Sequence, residues 1–369
     1  MVATTLCVGV IGMYHSGIGG GGFMLVRDKH GRYETIDYRE TAPAAASRDM
    51  YQHDQNASVL GGLAVAVPGE LRGLEYLHRN YGVLPWKTLV MPAVRVARDG
   101  FRVTEDLVRY MKAASQDSNF LVDDPIWAED FAPNGDSLEK IANQGIDVFY
   151  KGDIAESMIS LIQKMNGTMT LDDLEEYKVE VKPPLNITYG DFRLFTTEAP
   201  SSGPVMFSIF KTMEQYPPED LHDTNLTAHR FVEAMKFAYG ARLQLGDPEF
   251  IKNTTAYQAH LLSDTTARTI RNRILDNTTQ PLSAYDPLSL YAPPPTAPPT
   301  SATAQVAWNV LARGMGLREA VAAPRVHHQL MPDVLRVEEG LDEGVVEGLR
   351  GKGHEVEWMA PGLSAVQGW

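Results

Sequence analysis

Residues 291–300, Tyr-Ala-Pro-Pro-Pro-Thr-Ala-Pro-Pro-Thr, can sit inside neither a helix nor a sheet. Each proline lacks the N–H that both ladders require, and its ring clashes with the preceding helical turn. The chain must therefore be built in pieces on either side. We read residues 1–285 as one region, 286–300 as a proline-rich junction, and 301–369 as a second region.

Composition bounds what those pieces can be. Apolar residues make up 44% and charged residues 22% of 369, the balance of a soluble chain with a sizeable core. The net charge is −14 with no basic run, which argues against a nucleic-acid partner, because phosphate recognition needs clustered Lys and Arg. No apolar run reaches the ~18 residues of a membrane span. The single cysteine, Cys7, cannot form an internal disulfide, and its apolar surroundings favour a buried structural thiol over a nucleophile.

Six of the twelve asparagines open an N-x-S/T sequon: Asn56, Asn166, Asn186, Asn225, Asn253 and Asn277. Chance would give about one or two, so the pattern points to the secretory pathway. No charged, then apolar, signal segment opens the chain, and we expect the signal or anchor to be missing from it. Extracellular, vacuolar and membrane-anchored locations all fit.

Periodicity predicts a hairpin over residues 23–38 turning at Gly31, then mostly helix over 63–165, with Leu71, Leu74 and Leu77 on one stripe. Asp153 and Glu156 have the spacing of a capping box. Asn166-Gly167 ends that helix, and Thr170 caps the next. A second hairpin turns at Gly190-Asp191. Helices follow near 204–215, 227–244 and 259–275, then 304–311, with strands near 334–337 and 355–359. The class is α+β.

Several motifs invite chemistry. Gly17-x-Gly19-x-x-Gly22 matches a dinucleotide fingerprint in letters only. Such a loop opens a helix, whereas these glycines lead into Phe23-Met24-Leu25-Val26, a strand. Close backbone approach or positive φ explains them better. Arg39 could grip a carboxylate through its planar fork or form an ordinary ion pair. His327-His328 lacks further ligands at metal spacing and reads as a packed or solvated pair. Glu233 and Glu249 read as helix-surface and loop carboxylates. Neither a G-x-S-x-G elbow nor H-E-x-x-H is present.

An ordered set of motifs resembles the γ-glutamyltransferase (glutathione hydrolase) family. It comprises Ser16-Gly17-Ile18-Gly19-Gly20-Gly21-Gly22-Phe23-Met24, Tyr38-Arg39-Glu40-Thr41-Ala42-Pro43, Val65-Ala66-Val67-Pro68-Gly69-Glu70 and Thr170-Leu171-Asp172-Asp173-Leu174. Ala199-Pro200-Ser201-Ser202-Gly203, Ala228-His229-Arg230-Phe231-Val232-Glu233-Ala234 and Leu245-Gly246-Asp247-Pro248 continue it. The run from Glu319 to Gln329 and Gly353-His354-Glu355-Val356 complete it.

The resemblance implies an N-terminal-nucleophile hydrolase fold, a four-layer αββα sandwich, here incomplete. It implies a precursor that cleaves itself, exposing a threonine whose hydroxyl attacks the γ-glutamyl amide of glutathione. The acyl group then passes to water or to an amino acid or dipeptide acceptor, without a cofactor. Arg39 matches the family arginine that holds the α-carboxylate of the γ-glutamyl group. It is the one substrate contact the resemblance places, and it leaves no catalytic residue assigned.

The chain departs from the family at the junction. The small-subunit threonine motif, the acidic substrate segment, the Pro-Leu-Ser-Ser-Met stretch and the Gly-Gly oxyanion pair do not occur. A block of roughly 100 residues is absent by fit to the family's domain length. Thr296 and Thr300 lack the flanking pattern of a nucleophile and lie in the proline-rich run. We therefore expect residues 1–285 to be large-subunit-like, with a truncated N-terminus, and 301–369 to be a small-subunit remnant. The chain is then an inactive form of an enzyme, or a non-catalytic relative acting as a binding or regulatory module.

Overall fold

A computed structural model describes residues 1–114, 136–285, 301–359 and 366. By packing, the chain divides into two units, Met1–Pro183 and Pro184–Trp369. This division is one of contacts. The 286–300 junction lies outside the described residues.

In the first unit the opening apolar run is helix α1 (Val2–Ile11). Only Val2 and Leu6 are fully buried there, and Cys7 is half-buried rather than enclosed. The glycine-rich segment leads into β1 (Phe23–Arg27), as its apolar run demands, and β2 (Tyr33–Asp37) pairs with it antiparallel from Phe23↔Asp37 to Arg27↔Tyr33. Gly31, at φ +80°, makes the turn.

Helices α2 (Glu70–Tyr81), α3 (Trp86–Asp99), α4 (Glu105–Ala114), α5 (Asp136–Gln144), α6 (Asp147–Tyr150) and α7 (Asp153–Lys164) follow. Leu71, Leu74 and Leu77 of α2 are buried as their stripe predicts, in one core with Ile36, Val90, Val94 and Ile141. The capping box expected at Asp153 does not form. Gly152 holds the cap position, and Asp153 instead pairs with Lys140. The box forms one helix later. Thr170 caps α8 (Leu171–Glu176), its hydroxyl accepting from the Asp173 N–H while the Asp173 carboxylate accepts from the Thr170 N–H at 2.8 Å. A third strand, β3 (Glu180–Lys182), completes a β1–β2–β3 sheet that pattern alone did not reveal.

The second unit opens with the expected hairpin, β4 (Leu185–Tyr189) and β5 (Phe192–Thr196), turning at Gly190 with φ +54°. Helices α9 (Gly203–Met213) and α10 (Thr224–Arg242) form the centre of its core. The single helix expected over 259–275 is two, α11 (Thr254–Leu261) and α12 (Asp264–Arg273). Ser263 divides them by accepting the Thr266 N–H, the work of an N-cap.

Beyond the junction come α13 (Ser301–Leu311), α14 (Leu317–Ala322), β6 (Val326–His327), β7 (Leu335–Glu338), α15 (Glu343–Gly351) and β8 (Val356–Met359). Strand β7 pairs antiparallel with β6 and parallel with β8. Trp308 of α13 lies 5.5 Å from the Phe231 ring and 6.3 Å from the Phe210 ring, so segments on both sides of residues 286–300 share one core.

The fold is mixed helix and sheet, with the strands in sheets of three, two and three among the described residues. No described helix is long and apolar enough to cross a membrane.

One glycine sets a test of this packing. A Cβ added at Gly240, inside α10, would lie 2.0 Å from the Tyr285 carbonyl oxygen. Ala for Gly inside a helix ordinarily gains up to about 1 kcal/mol. Here the sign reverses. Gly240→Ala is expected to destabilise by about 1–3 kcal/mol, read from urea unfolding. A stabilised variant would refute the close approach.

Candidate functional site

In the first unit, three sequence motifs converge on a fourth, at residues 38–44. Gly22 and Tyr38 exchange backbone hydrogen bonds at 3.3 and 2.9 Å, extending the β1–β2 ladder. Gly21 has no room for a side chain, since a Cβ there would stand 2.3 Å from the Tyr38 carbonyl oxygen. Close approach, not positive φ, is what this part of the loop requires, and no glycine from 17 to 22 has positive φ. Thr41 and Val67 form an antiparallel bridge at 3.1 and 2.8 Å. The Tyr177 hydroxyl donates to the Arg39 carbonyl at 2.7 Å, and the Asp173 carboxylate accepts the Ala44 N–H at 2.7 Å.

The backbone under Arg39 is thus held on both sides while its side chain is exposed. Its backbone N–H donates to Asp37 Oδ1 at 3.1 Å. Its guanidinium has no hydrogen bond or ion pair among the described residues, leaving its fork open to a carboxylate.

Below the same loop the Gly20 carbonyl accepts from the N–H groups of Gly69 and Glu70, both at 2.9 Å, tying the loop to the start of α2. Glu70 is buried, and burial together with the negative charge of Glu40 pushes its carboxyl up to about 7.

The second unit holds a buried polar network on α10, and here the expectation for Glu233 fails. Glu233 is fully buried, not on a helix surface. Its neighbours explain why. Residues 229–241 of α10 are buried on every face, so the helix has no wet side for His229, Glu233 or Lys236 to occupy. Each must be paired inside. Glu233 Oε1 accepts from the Thr279 hydroxyl at 2.7 Å, and Oε2 from the Tyr285 hydroxyl at 2.7 Å. Lys236 Nζ donates to Thr279 Oγ1 at 2.9 Å and pairs with Asp333 at 3.0 Å. Both Glu233 oxygens act as acceptors, the pattern of a carboxylate held by donors. Burial nonetheless raises its pKa against those bonds.

Two histidines complete the network. The Leu275 carbonyl lies 2.8 Å from His229 Nε2, which fixes the proton there. His229 Nδ1 must then accept from His354 Nε2, 2.8 Å away. His354 Nε2 stands 3.9 Å from Glu233 Oε1. These three residues have the donor atoms of a metal site. The geometry is that of a shared proton, because two ring nitrogens at 2.8 Å are hydrogen-bonded to one another. His354 is held down to about 3 by burial and by the neighbouring His229 and Lys236.

His327 and His328 are a packed pair, as their context suggested. His328 Nδ1 accepts the Leu330 N–H at 3.0 Å, which places its proton on Nε2, 3.2 Å from Asp333. Burial opposes an ionised Asp333, yet hydrogen bonds from His328 and Lys236 hold it down to about 2. Glu249 is an exposed loop carboxylate, as read from sequence. Thr296 and Thr300 lie outside the described residues. The i, i+4 pair His229 and Glu233 could have been found in the sequence. A nineteen-residue segment with apolar residues at every angle has nowhere to put His229, Arg230, Glu233 and Lys236 but inside.

Comparison with known proteins follows the same motifs. The γ-glutamyltranspeptidase family model matches residues 1–304 and 296–369. A glutathione hydrolase proenzyme of Arthroderma benhamiae is 50% identical over 294 residues, covering 75% of this chain and 50% of that protein. The chain therefore spans about half the length of that relative. A glutathione hydrolase of Aspergillus flavus is 35% identical over 478 residues, covering 99% of this chain and 80% of that protein. The crystal structure of Helicobacter pylori γ-glutamyltranspeptidase matches with a TM-score of 0.69 at 26% identity, over 76% of this chain and 85% of that one.

Fold and motifs together define the mixed helix-and-sheet class of N-terminal-nucleophile hydrolases. Within that class, the chain belongs to the γ-glutamyltranspeptidase (glutathione hydrolase) family.

The two buried acids and bases give opposite pH slopes. His354 has a folded pKa below its ordinary 6.5, so the unfolded chain takes up the proton first. Stability is therefore full above 6.5 and falls as pH drops toward about 3. Glu70 has a folded pKa above its ordinary 4.5, so stability is full below 4.5 and is lost as pH rises through about 7. Chemical denaturation across pH should show the acid loss shrink in His354→Gln and the neutral loss shrink in Glu70→Gln. Unchanged slopes in both variants would contradict these assignments.

Proposed function

We propose that this chain is a γ-glutamyl-binding relative of the glutathione hydrolases that does not itself hydrolyse. The observation that carries the reading is Arg39, whose backbone is clamped by Tyr177 and Asp37 and whose guanidinium is exposed and uncommitted. Arg39 receives the α-carboxylate of a γ-glutamyl group bidentately, from glutathione or another γ-glutamyl compound.

Hydrolysis needs more than that grip. A threonine hydroxyl must be activated by a base, supplied in this family by the α-amino group freed on self-cleavage. Preorganised N–H donors must meet the developing oxyanion. Two facts support the absence of that machinery from this chain. The family model matches in two pieces that meet at residues 296–304, at the end of the proline-rich stretch. The Aspergillus alignment runs over 478 positions against 369 residues here, so many positions of the relative have no counterpart in this chain, which supports an absent internal block. The residues that would hold the threonine, the acidic amino-group contact and the glycine pair belong in that block. A form carrying it would pass the γ-glutamyl group to water or to an amino acid or dipeptide acceptor. The chain as it stands serves as a binding or regulatory module.

The test uses the purified chain. A denaturing gel should show one unprocessed band, and γ-glutamyl-4-nitroanilide should release no nitroaniline above background. S-methylglutathione should still bind, and Arg39→Ala should weaken it about tenfold or more, the size expected for losing a charge-assisted pair. Self-cleavage or turnover would refute the loss of hydrolysis, and unaltered affinity in Arg39→Ala would refute the carboxylate contact.

We further propose a secretory-pathway glycoprotein. All six sequon asparagines are exposed on the folded chain, which supports modification at each. Expression behind a secretory leader, followed by amidase removal of N-glycans, should lower the apparent mass. An unchanged band would reject the proposal.

A further inference from the structure

Under the glycine-rich loop of the first unit lies a cavity of about 160 Å³, walled by α1, the turn at 16–18, the start of α2 and α5. Its volume is close to that of a cavity of about 150 Å³ known to take a benzene-sized molecule. Leu6, Val10, Ile18 and Leu138 give it apolar walls. Three oxygen-bearing side chains break them: Thr5, Ser16 and Glu70.

Glu70 is the unusual member. It is 5% exposed, and its Oε1 makes no hydrogen bond. The Thr5 and Ser16 hydroxyls likewise have no hydrogen-bond partner among the described residues. A buried carboxyl without a donor is costly, and the charged neighbour that acts on this one is another carboxylate, Glu40. Among the described residues no arginine or lysine offsets the charge at Glu70. The cavity therefore presents acceptors, excess negative charge and an apolar body, while Ser16, Gly17 and Ile18 at its edge are only half-buried. An anion is excluded by charge. A neutral apolar molecule would leave the carboxyl unmet.

We propose that this cavity binds a small primary ammonium ion with an apolar tail. The ammonium donates to Glu70 Oε1, the Thr5 and Ser16 hydroxyls accept hydrogen bonds from its remaining N–H groups, and the tail fills the space between α1 and α5. The site involves neither Arg39 nor the missing block, so it stands or falls apart from the function proposed above.

The test titrates the full chain with n-butylammonium chloride and, separately, with n-butanol, at matched ionic strength, by calorimetry and thermal shift. The ammonium is expected to bind saturably and about tenfold or more tightly than the alcohol, the contribution of a charge-assisted hydrogen bond in a dry site. Glu70→Gln should erase that preference. Leu138→Phe keeps the carboxyl but fills the cavity, and should abolish binding. Equal affinity for the two probes, no saturable binding of the ammonium, or a preference that survives Glu70→Gln would each overturn the proposal. Should Glu70→Gln fail to fold, the probe comparison on the unaltered chain and the Leu138→Phe variant decide.

Discussion

A carboxylate cut off from solvent must find its donors inside the protein, and Glu233 draws the second unit together by doing so. Its partners come from segments far apart in sequence. Thr279 and Tyr285 precede the proline-rich stretch, while Asp333 and His328, reached through Lys236, follow it. Remove the carboxylate, and the buried Thr279 and Tyr285 hydroxyls lose the acceptor they share, a heavier penalty than the net worth of any one bond. The arrangement also fixes Tyr285, the last described residue before the junction, whose carbonyl fits against Gly240. The apolar contacts of Trp308 with Phe231 and Phe210 supply area, and the polar network supplies register.

The first unit uses a different constraint toward a similar end. There the glycine-rich loop is pressed between the end of β2 and the start of α2, with no space for a side chain at Gly21. Its carbonyl at Gly20 takes two of the N–H groups that a helix start leaves unsatisfied. The loop therefore orders the Arg39 segment and the α2 terminus at once. A glycine run that looked in letters like a phosphate cradle is a packing device.

Much of this was legible in the sequence, and the exceptions have physical causes. The two hairpins read cleanly because a glycine turn joins β-forming runs in each, an apolar run opening the first and alternating polarity marking the second. The α2 stripe at Leu71, Leu74 and Leu77 read cleanly because only one face of that helix is buried. Strand β3 was missed because three residues beside Pro183 carry no periodicity. The break at Ser263 was missed because a serine cap inside a helical pattern looks like one more polar position. Asp153 was misjudged because capping-box spacing does not say which residue stands at the cap, and Lys140 claimed its carboxylate. Glu233 was misjudged because its partners lie 46 and 52 residues away in the chain, beyond any local pattern. Arg39 was picked out through family motifs. The cavity at Glu70 has no sequence signature, since its walls come from four separate segments.

The same reasoning separates what a binding site needs from what a catalyst needs. In the role proposed for it, Arg39 requires only a fixed backbone and an open guanidinium, and both are local properties of the first unit. A nucleophile requires a base, an oxyanion cradle and a substrate positioned within about 3–3.5 Å, all held together by neighbouring strands. Recognition is therefore robust to loss of an internal block, because its parts fold with the segments that remain. In the proposed reading catalysis is not, because its parts belong to that block. On the function proposed above, a chain of this family that keeps the motifs around residues 38–44 without the threonine segment is left with the first property alone.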